Sequence, residues 1–120
     1  MNWTTLSQLS DLPELAEKSH QIPCLIFKHS TKCSISFIVK HRLESNWPFS
    51  QQELMPYYLD LIAHRAVSNG VADFFQVHHE SPQVILVWKG EVLLDASHLD
   101  ISVEEMMEVL AFDRDKVTLN

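Results

Sequence analysis

The segment Lys32-Cys33-Ser34-Ile35-Ser36 places a thiol beside a cation and three residues ahead of a hydroxyl. A thiol attacks a disulfide only as its thiolate, and a free cysteine with pKa ~8.5 is mostly protonated at neutral pH. Position decides whether the anion is favoured. At a helix N-terminus the unpaired backbone N–H groups and the helix dipole both favour negative charge. Cys33 stands where an apolar strand-like run gives way to helical spacing, with Lys32 before it and His29 four residues earlier as further sources of positive charge. A depressed thiol pKa is therefore expected at Cys33.

A dithiol oxidoreductase would carry its second cysteine where this chain has Ser36. A serine cannot resolve a mixed disulfide, so release must come from a second thiol and the chemistry is monothiol. Ser36 lies one helical turn on, where its hydroxyl is expected to donate to the thiolate. The competing reading makes Cys33 a small hydrophobe at a helix start, since free cysteines are often buried. Cys24, among Pro23, Leu25 and Ile26, is expected to be an inert core thiol, too far along an extended strand to pair with Cys33.

Pro82 precedes the apolar run Val84–Trp88. Composition alone favours a trans bond there, whereas a cis bond would present the Ser81 backbone to an extended substrate segment. Other candidates are weaker. His78-His79-Glu80 lacks the spacing of a metal site and reads as a solvated loop, so no metal ligand is assigned. Trp3, Trp47 and Trp88 read as core or groove aromatics, with Trp47 expected to shape a loop near the thiol.

The elements that must hold these residues follow from hydrophobic period. A helix is expected over Ser10 to His20 on Leu12, Leu15 and Ala16, with Pro13 in its first turn, and a covered strand over Pro23 to Phe27. From Ser34 the apolar positions 35, 38, 39 and 43 have helical period. Tyr57–Ile62 reads as a second core strand, and Ser68 can cap a helix bearing Val71, Phe74 and Phe75. Gln83–Trp88, the Lys89-Gly90 turn and Glu91–Asp95 read as a hairpin. Ser102 with Glu105 forms a capping box for a helix on Val103, Met106, Met107 and Leu110.

The order, with a short strand near Trp3–Leu6 counted first, is β-α-β-α-β-α-β-β-α, with helix-linked strands expected parallel and the last pair antiparallel. It matches a thioredoxin-like α/β fold, a central mixed sheet flanked by helices, with an N-terminal β-α extension. One domain over residues 1–120 is the economical reading, since no linker or repeat interrupts the chain.

Composition narrows the partners. An apolar share of 46% with two Gly reads as ordered and globular. A net charge of -7 with nine scattered Lys and Arg argues against nucleic acid and anionic membrane. The apolar runs are far shorter than a bilayer needs, and Met1–Leu12 has no leader pattern, so a soluble, cytosolic protein is expected. Two cysteines make no disulfide framework.

The segments Lys28-His-Ser-Thr-Lys-Cys-Ser-Ile-Ser36, His79-Glu-Ser-Pro-Gln83 and Ala96-Ser-His98 closely resemble the YtxJ family of bacillithiol-system redox proteins. The resemblance implies a thioredoxin-like fold and a monothiol, bacilliredoxin-like activity that removes bacillithiol from protein mixed disulfides in a bacterial cytosol. It makes Cys33 the nucleophile and Pro82 a cis-proline of the active-site wall. Cys33, Ser36 and Lys32 are then the candidate catalytic residues, and Thr31, Ser34, Ser81, Pro82 and His29 the candidate substrate-binding ones. No cofactor is required; the expected partners are S-bacillithiolated proteins, with bacillithiol or another low-molecular-weight thiol as co-substrate. Ser34 stands where many relatives carry Pro, which leaves one more backbone N–H at the helix end. The alternatives are an iron–sulfur or metal carrier resembling monothiol glutaredoxins, whose Gly-Phe pair is here Ser34-Ile35, and a non-catalytic binding module of the same fold.

Overall fold

The computed structural model describes residues 1–118. The chain runs β1 (Thr4–Thr5), α1 (Asp11–Lys18), β2 (Cys24–His29), α2 (Ser34–Asn46), β3 (Met55–Asp60), α3 (Arg65–Phe75), β4 (Gln83–Trp88), β5 (Glu91–Ser97), a 3-10 turn (His98–Asp100) and α4 (Val103–Thr118). The strands form one sheet in the order β1-β3-β2-β4-β5. This is the expected α/β architecture, with β2 at the centre and buried along its whole length.

Alternation along the central strands sends side chains to two cores. Cys24 and Ile26 join Leu12 and Leu15 of α1 and Val67, Val71 and Phe75 of α3 on one face. Leu25 and Phe27 join Val39 and Leu43 of α2 and Met106 and Leu110 of α4 on the other. Each fully buried aliphatic side chain contributes roughly 1.5–3 kcal/mol by leaving water.

The sheet departs from the expectation that helix-linked strands are parallel. β2 and β3 are parallel, but β4 runs antiparallel to β2, with Lys28 opposite Gln83. The cause is the chain after α3. The helix ends at Gln76, in the left-handed region at φ 54, and residues 77–82 are neither helix nor strand. Eleven helical residues advance about 16 Å, and six extended ones can retrace that distance. β4 therefore enters the sheet at the end where β3 left it, at Asp60 beside His29.

Three boundaries also shift. β2 continues through Lys28 and His29, both buried, because pairing with β3 extends to Leu59 and Asp60. β3 starts two residues before the predicted strand, and Leu61 instead donates its N–H to His29 O at 3.1 Å. Ser68 is a buried residue inside α3, whose N-cap is His64. The hairpin turn is as predicted: Lys89 and Gly90 have φ 54 and 78, as a two-residue turn of the I′ type requires. Ser102 Oγ accepts the Glu105 N–H at 3.2 Å, capping α4.

Helix α2 is rotated from its predicted phase. Ser36, Val39 and Leu43 face the sheet, while Ile35 and Ile38 are 37% and 49% exposed. Val39 and Leu43 do the anchoring, and positions three to four residues back along the same face put Ser36, not Ile35, beneath the helix.

Candidate functional site

β2 ends at His29, and the next four residues turn the chain into α2. Ser30 organises that turn with three bonds. Its carbonyl accepts the Cys33 N–H at 3.2 Å, its Oγ accepts the Lys32 N–H at 3.3 Å, and its own N–H donates to Ser36 Oγ at 3.0 Å. Sequence reasoning missed Ser30; its signal was a serine placed to close a short turn on the residues following it.

Cys33 is the N-cap of α2, with extended backbone at φ -123 and ψ 119, and it is partly exposed. No side chain caps the helix, and the Cys33 carbonyl accepts the N–H groups of Ser36 and Phe37. Residue 33 thus stands at the end of α2 from which the first-turn N–H groups point outward. Thr31, Lys32 and Ser34, its neighbours in the chain, are exposed.

Two predicted site residues take other places. Ser36 is fully buried, and besides the Ser30 N–H its hydroxyl is bonded to His29 Nδ1 at 2.6 Å, in either imidazole tautomer. The expected donation from Ser36 to the thiolate gives way to this inward pair. His29 is 1% exposed, packed edge-on against Phe37 with ring centroids 4.7 Å apart. Burial, with Lys40 adding to it, holds its pKa below the usual histidine value, so the ring is neutral at neutral pH. It is neither a positive charge for the thiol nor a surface for substrate; it is the inner anchor of the Ser36–Ser30 chain.

Pro82 closes the other side. The Ser81–Pro82 bond is cis, as the family resemblance implied and against the trans expectation from composition. Pro82 adjoins Gln83, which pairs with Lys28 near the end of β2, so its loop and the Cys33 loop leave neighbouring strands at one end of the sheet. The Pro82 carbonyl accepts the His98 N–H at 2.9 Å. All three segments that carried the resemblance therefore meet here. Ser81 is half-buried, and its Oγ is shielded without a hydrogen-bond partner.

Cys24 lies at the opposite end of β2. Five strand steps at roughly 3.3 Å each separate it from His29, well beyond disulfide reach of the Cys33 loop. It is fully buried, and burial pushes its thiol up to about 11, against smaller lowering effects of Tyr57 and Lys18. Trp47 is likewise remote, at the C-terminal end of the 13-residue α2, where it packs on Phe49 and Trp3. Helical rise puts it about 20 Å from Cys33, so it does not shape the thiol's surroundings.

A lone, partly exposed thiol at a helix start, a serine in the resolving position and a cis-proline on the adjacent strand are the features by which relatives can be compared. Residues 4–106 match the family described as monothiol bacilliredoxin BrxC. The chain belongs to this family. Among solved structures, the bacilliredoxin chain is similar to one described as a candidate oxidoreductase with a thioredoxin fold, at 26% identity and TM-score 0.74, over 88% of this chain and 90% of that one. Spinach chloroplast thioredoxin f in its long form shares 9% identity with TM-score 0.69, covering 94% and 87% of the two chains. Schistosoma mansoni thioredoxin shares 14% with TM-score 0.68, covering 92% and 97%. The last two show the thioredoxin fold; the bacilliredoxin family and the first neighbour support a thiol redox role. Among the described residues no helix is long and apolar enough to cross a membrane.

Proposed function

We propose that this bacilliredoxin-family protein is a monothiol thiol-disulfide oxidoreductase that removes bacillithiol from S-bacillithiolated proteins in a bacterial cytosol. The carrying observation is the pairing of one accessible thiol, Cys33 at the start of α2, with a buried Ser36 where a resolving cysteine would stand.

Cys33 thiolate attacks the bacillithiol sulfur of a protein mixed disulfide. The new S–S bond joins Cys33 to bacillithiol, and the electron pair of the broken bond leaves on the protein's cysteine, which is thereby reduced. A second low-molecular-weight thiolate then attacks the adduct, forming a small-molecule disulfide and regenerating Cys33. No cofactor enters either step. Exposed Lys32, Thr31 and Ser34 border the reacting sulfur, and Ser81 before cis-Pro82 offers backbone to an extended substrate segment. Ile35, Phe37 and Ile38, exposed on α2, add apolar surface for a protein substrate.

Intact-mass spectrometry after exposure to bacillithiol disulfide, and separately to glutathione disulfide, tests this. A single adduct on Cys33, formed faster with bacillithiol and stable until an external thiol is added, is the expected result. An adduct on Cys24, or rapid adduct loss with no added thiol, overturns the monothiol reading; preference for glutathione overturns the assignment of the thiol.

A further inference from the structure

Lys28 lies near the end of the central strand, fully buried on the same face as Cys24 and Ile26, the one that carries α1 and α3. The chemistry proposed above makes no use of it. Its Nζ lies 3.1 Å from His79 Nδ1. Burial pulls Lys28 down to about 8, so at and below neutral pH it is mainly an ammonium with only protons to give, and His79 accepts at Nδ1 and carries its own proton on Nε2. In the sheet, Lys28 pairs with Gln83, which is also fully buried. Gln83 Nε2 donates to His78 O at 3.0 Å, and its Oε1 accepts the Glu80 N–H at 3.3 Å. Two neighbouring side chains from β2 and β4 therefore hold residues 78, 79 and 80 in succession, and the next two residues are Ser81 and cis-Pro82.

The two holds differ in one respect. The Gln83 amide bonds do not depend on pH, whereas the Lys28 bond requires a neutral His79. We infer that Lys28 and His79 form a proton-sensitive latch that positions the cis-Pro82 loop for substrate, and that protonation of His79 releases it. A proton on Nδ1 removes the acceptor and sets a second positive charge against the ammonium. The groups facing His79 are Lys28 from β2, Arg65 from α3, and His78 and Glu80 from its own loop. Burial first, then Lys28 and Arg65, hold its pKa below the usual histidine value, with Glu80 opposing them. Release thus belongs to acid conditions. Lys28 and His79 are positioning residues, and neither touches the reacting sulfurs.

The inference rests on the preceding functional reading only in taking the Pro82 loop as the wall that meets substrate. Its test has two arms, using wild type, His79→Gln and Lys28→Met. Glutamine retains an acceptor for Lys28 but cannot titrate, and residue 79 is half-buried on a loop, so His79→Gln is the variant that spares the fold.

In the first arm, backbone and side-chain amide resonances of Gln83 are followed by nuclear magnetic resonance from about pH 7.5 to about pH 5. They are expected to track the His79 ring in wild type and to stay still in His79→Gln. In the second, kcat/KM is measured with a bacillithiolated protein over the same range, and each variant is divided by wild type so that ionisation of Cys33 cancels. The His79→Gln ratio is expected to climb from about one to about threefold or more on acidification, carried by KM, as a population shift of the loop requires. Lys28→Met is expected to raise KM at neutral pH with kcat held. Amides that ignore the ring titration overturn the latch. Amides that follow it beside a flat kcat/KM ratio overturn its role in positioning substrate. Absence of exchange in wild type overturns the functional reading instead, and the resonance arm still decides the latch.

Discussion

Ser36 occupies the position where the chemistry of a dithiol enzyme would need sulfur, and its oxygen is engaged twice, by the Ser30 N–H and by His29. Both partners are buried. Ser36→Ala therefore does more than remove a hydroxyl near a thiol: it leaves a backbone donor and a ring nitrogen unpaired, at a cost of about 1–3 kcal/mol for each group left without a partner. Urea denaturation is expected to show a loss of about 2–6 kcal/mol for the two groups, together with faster proteolysis or hydrogen exchange in the 30–33 turn. A stability change near zero would mean that the Ser30 turn holds without it. Sulfur is a weak acceptor, so Ser36→Cys is expected to carry a comparable penalty in its reduced form.

Helix α2 has two unlike faces, and each answers to a different measurement. Leu43, 2% exposed, is part of the core with Leu25 and Phe27, so Leu43→Ala is expected to cost about 2–5 kcal/mol in denaturant titrations. Ile35 is 37% exposed and stands two residues after the thiol. Ile35→Ser is expected to stay within about 0.5–1 kcal/mol of wild type. It should raise KM for a bacillithiolated protein while leaving exchange with bacillithiol disulfide unchanged. Equal losses with both substrates would show that Ile35 supports the site and does not contact the protein.

Across the whole molecule, the proposed function divides the two cysteines between stability and chemistry. Cys24 is sealed at one end of β2, and its thiol moves from an ordinary 9.0 to about 11 on folding. Above 9 the unfolded chain loses that proton while the folded one keeps it. The stability this thiol supports is therefore present below pH 9 and is lost as pH rises from 9 towards about 11. Cys24→Ala is expected to retain Cys33 exchange, to cost about 1–2 kcal/mol near neutrality through lost packing, and to decline less steeply over that alkaline window. Urea denaturation at a series of pH values reads the difference between the two proteins. An inactive but well-folded Cys24→Ala would instead give Cys24 a redox part.

Much of this molecule was legible without coordinates because local patterns carry it. The apolar run at Cys24–Phe27, the Lys89-Gly90 turn and the Ser102 cap each depend on neighbours within a few residues, and Cys33 at a strand-to-helix junction followed from them. The segments quoted for the family resemblance pointed to the same residue. What only the tertiary structure decided involves contacts between residues far apart in the chain. The phase of α2 was set by the sheet beneath it, which turned Ser36 inward and Ile35 outward. His29 became neutral because β3 and α2 cover it, something no composition could show. β4 reversed because residues 77–82 retrace α3, and that reversal brought Lys28 of β2 under His79 and Pro82 beside the thiol loop. Hydrophobic period has a short memory along the chain, whereas burial and strand direction are properties of the assembled sheet.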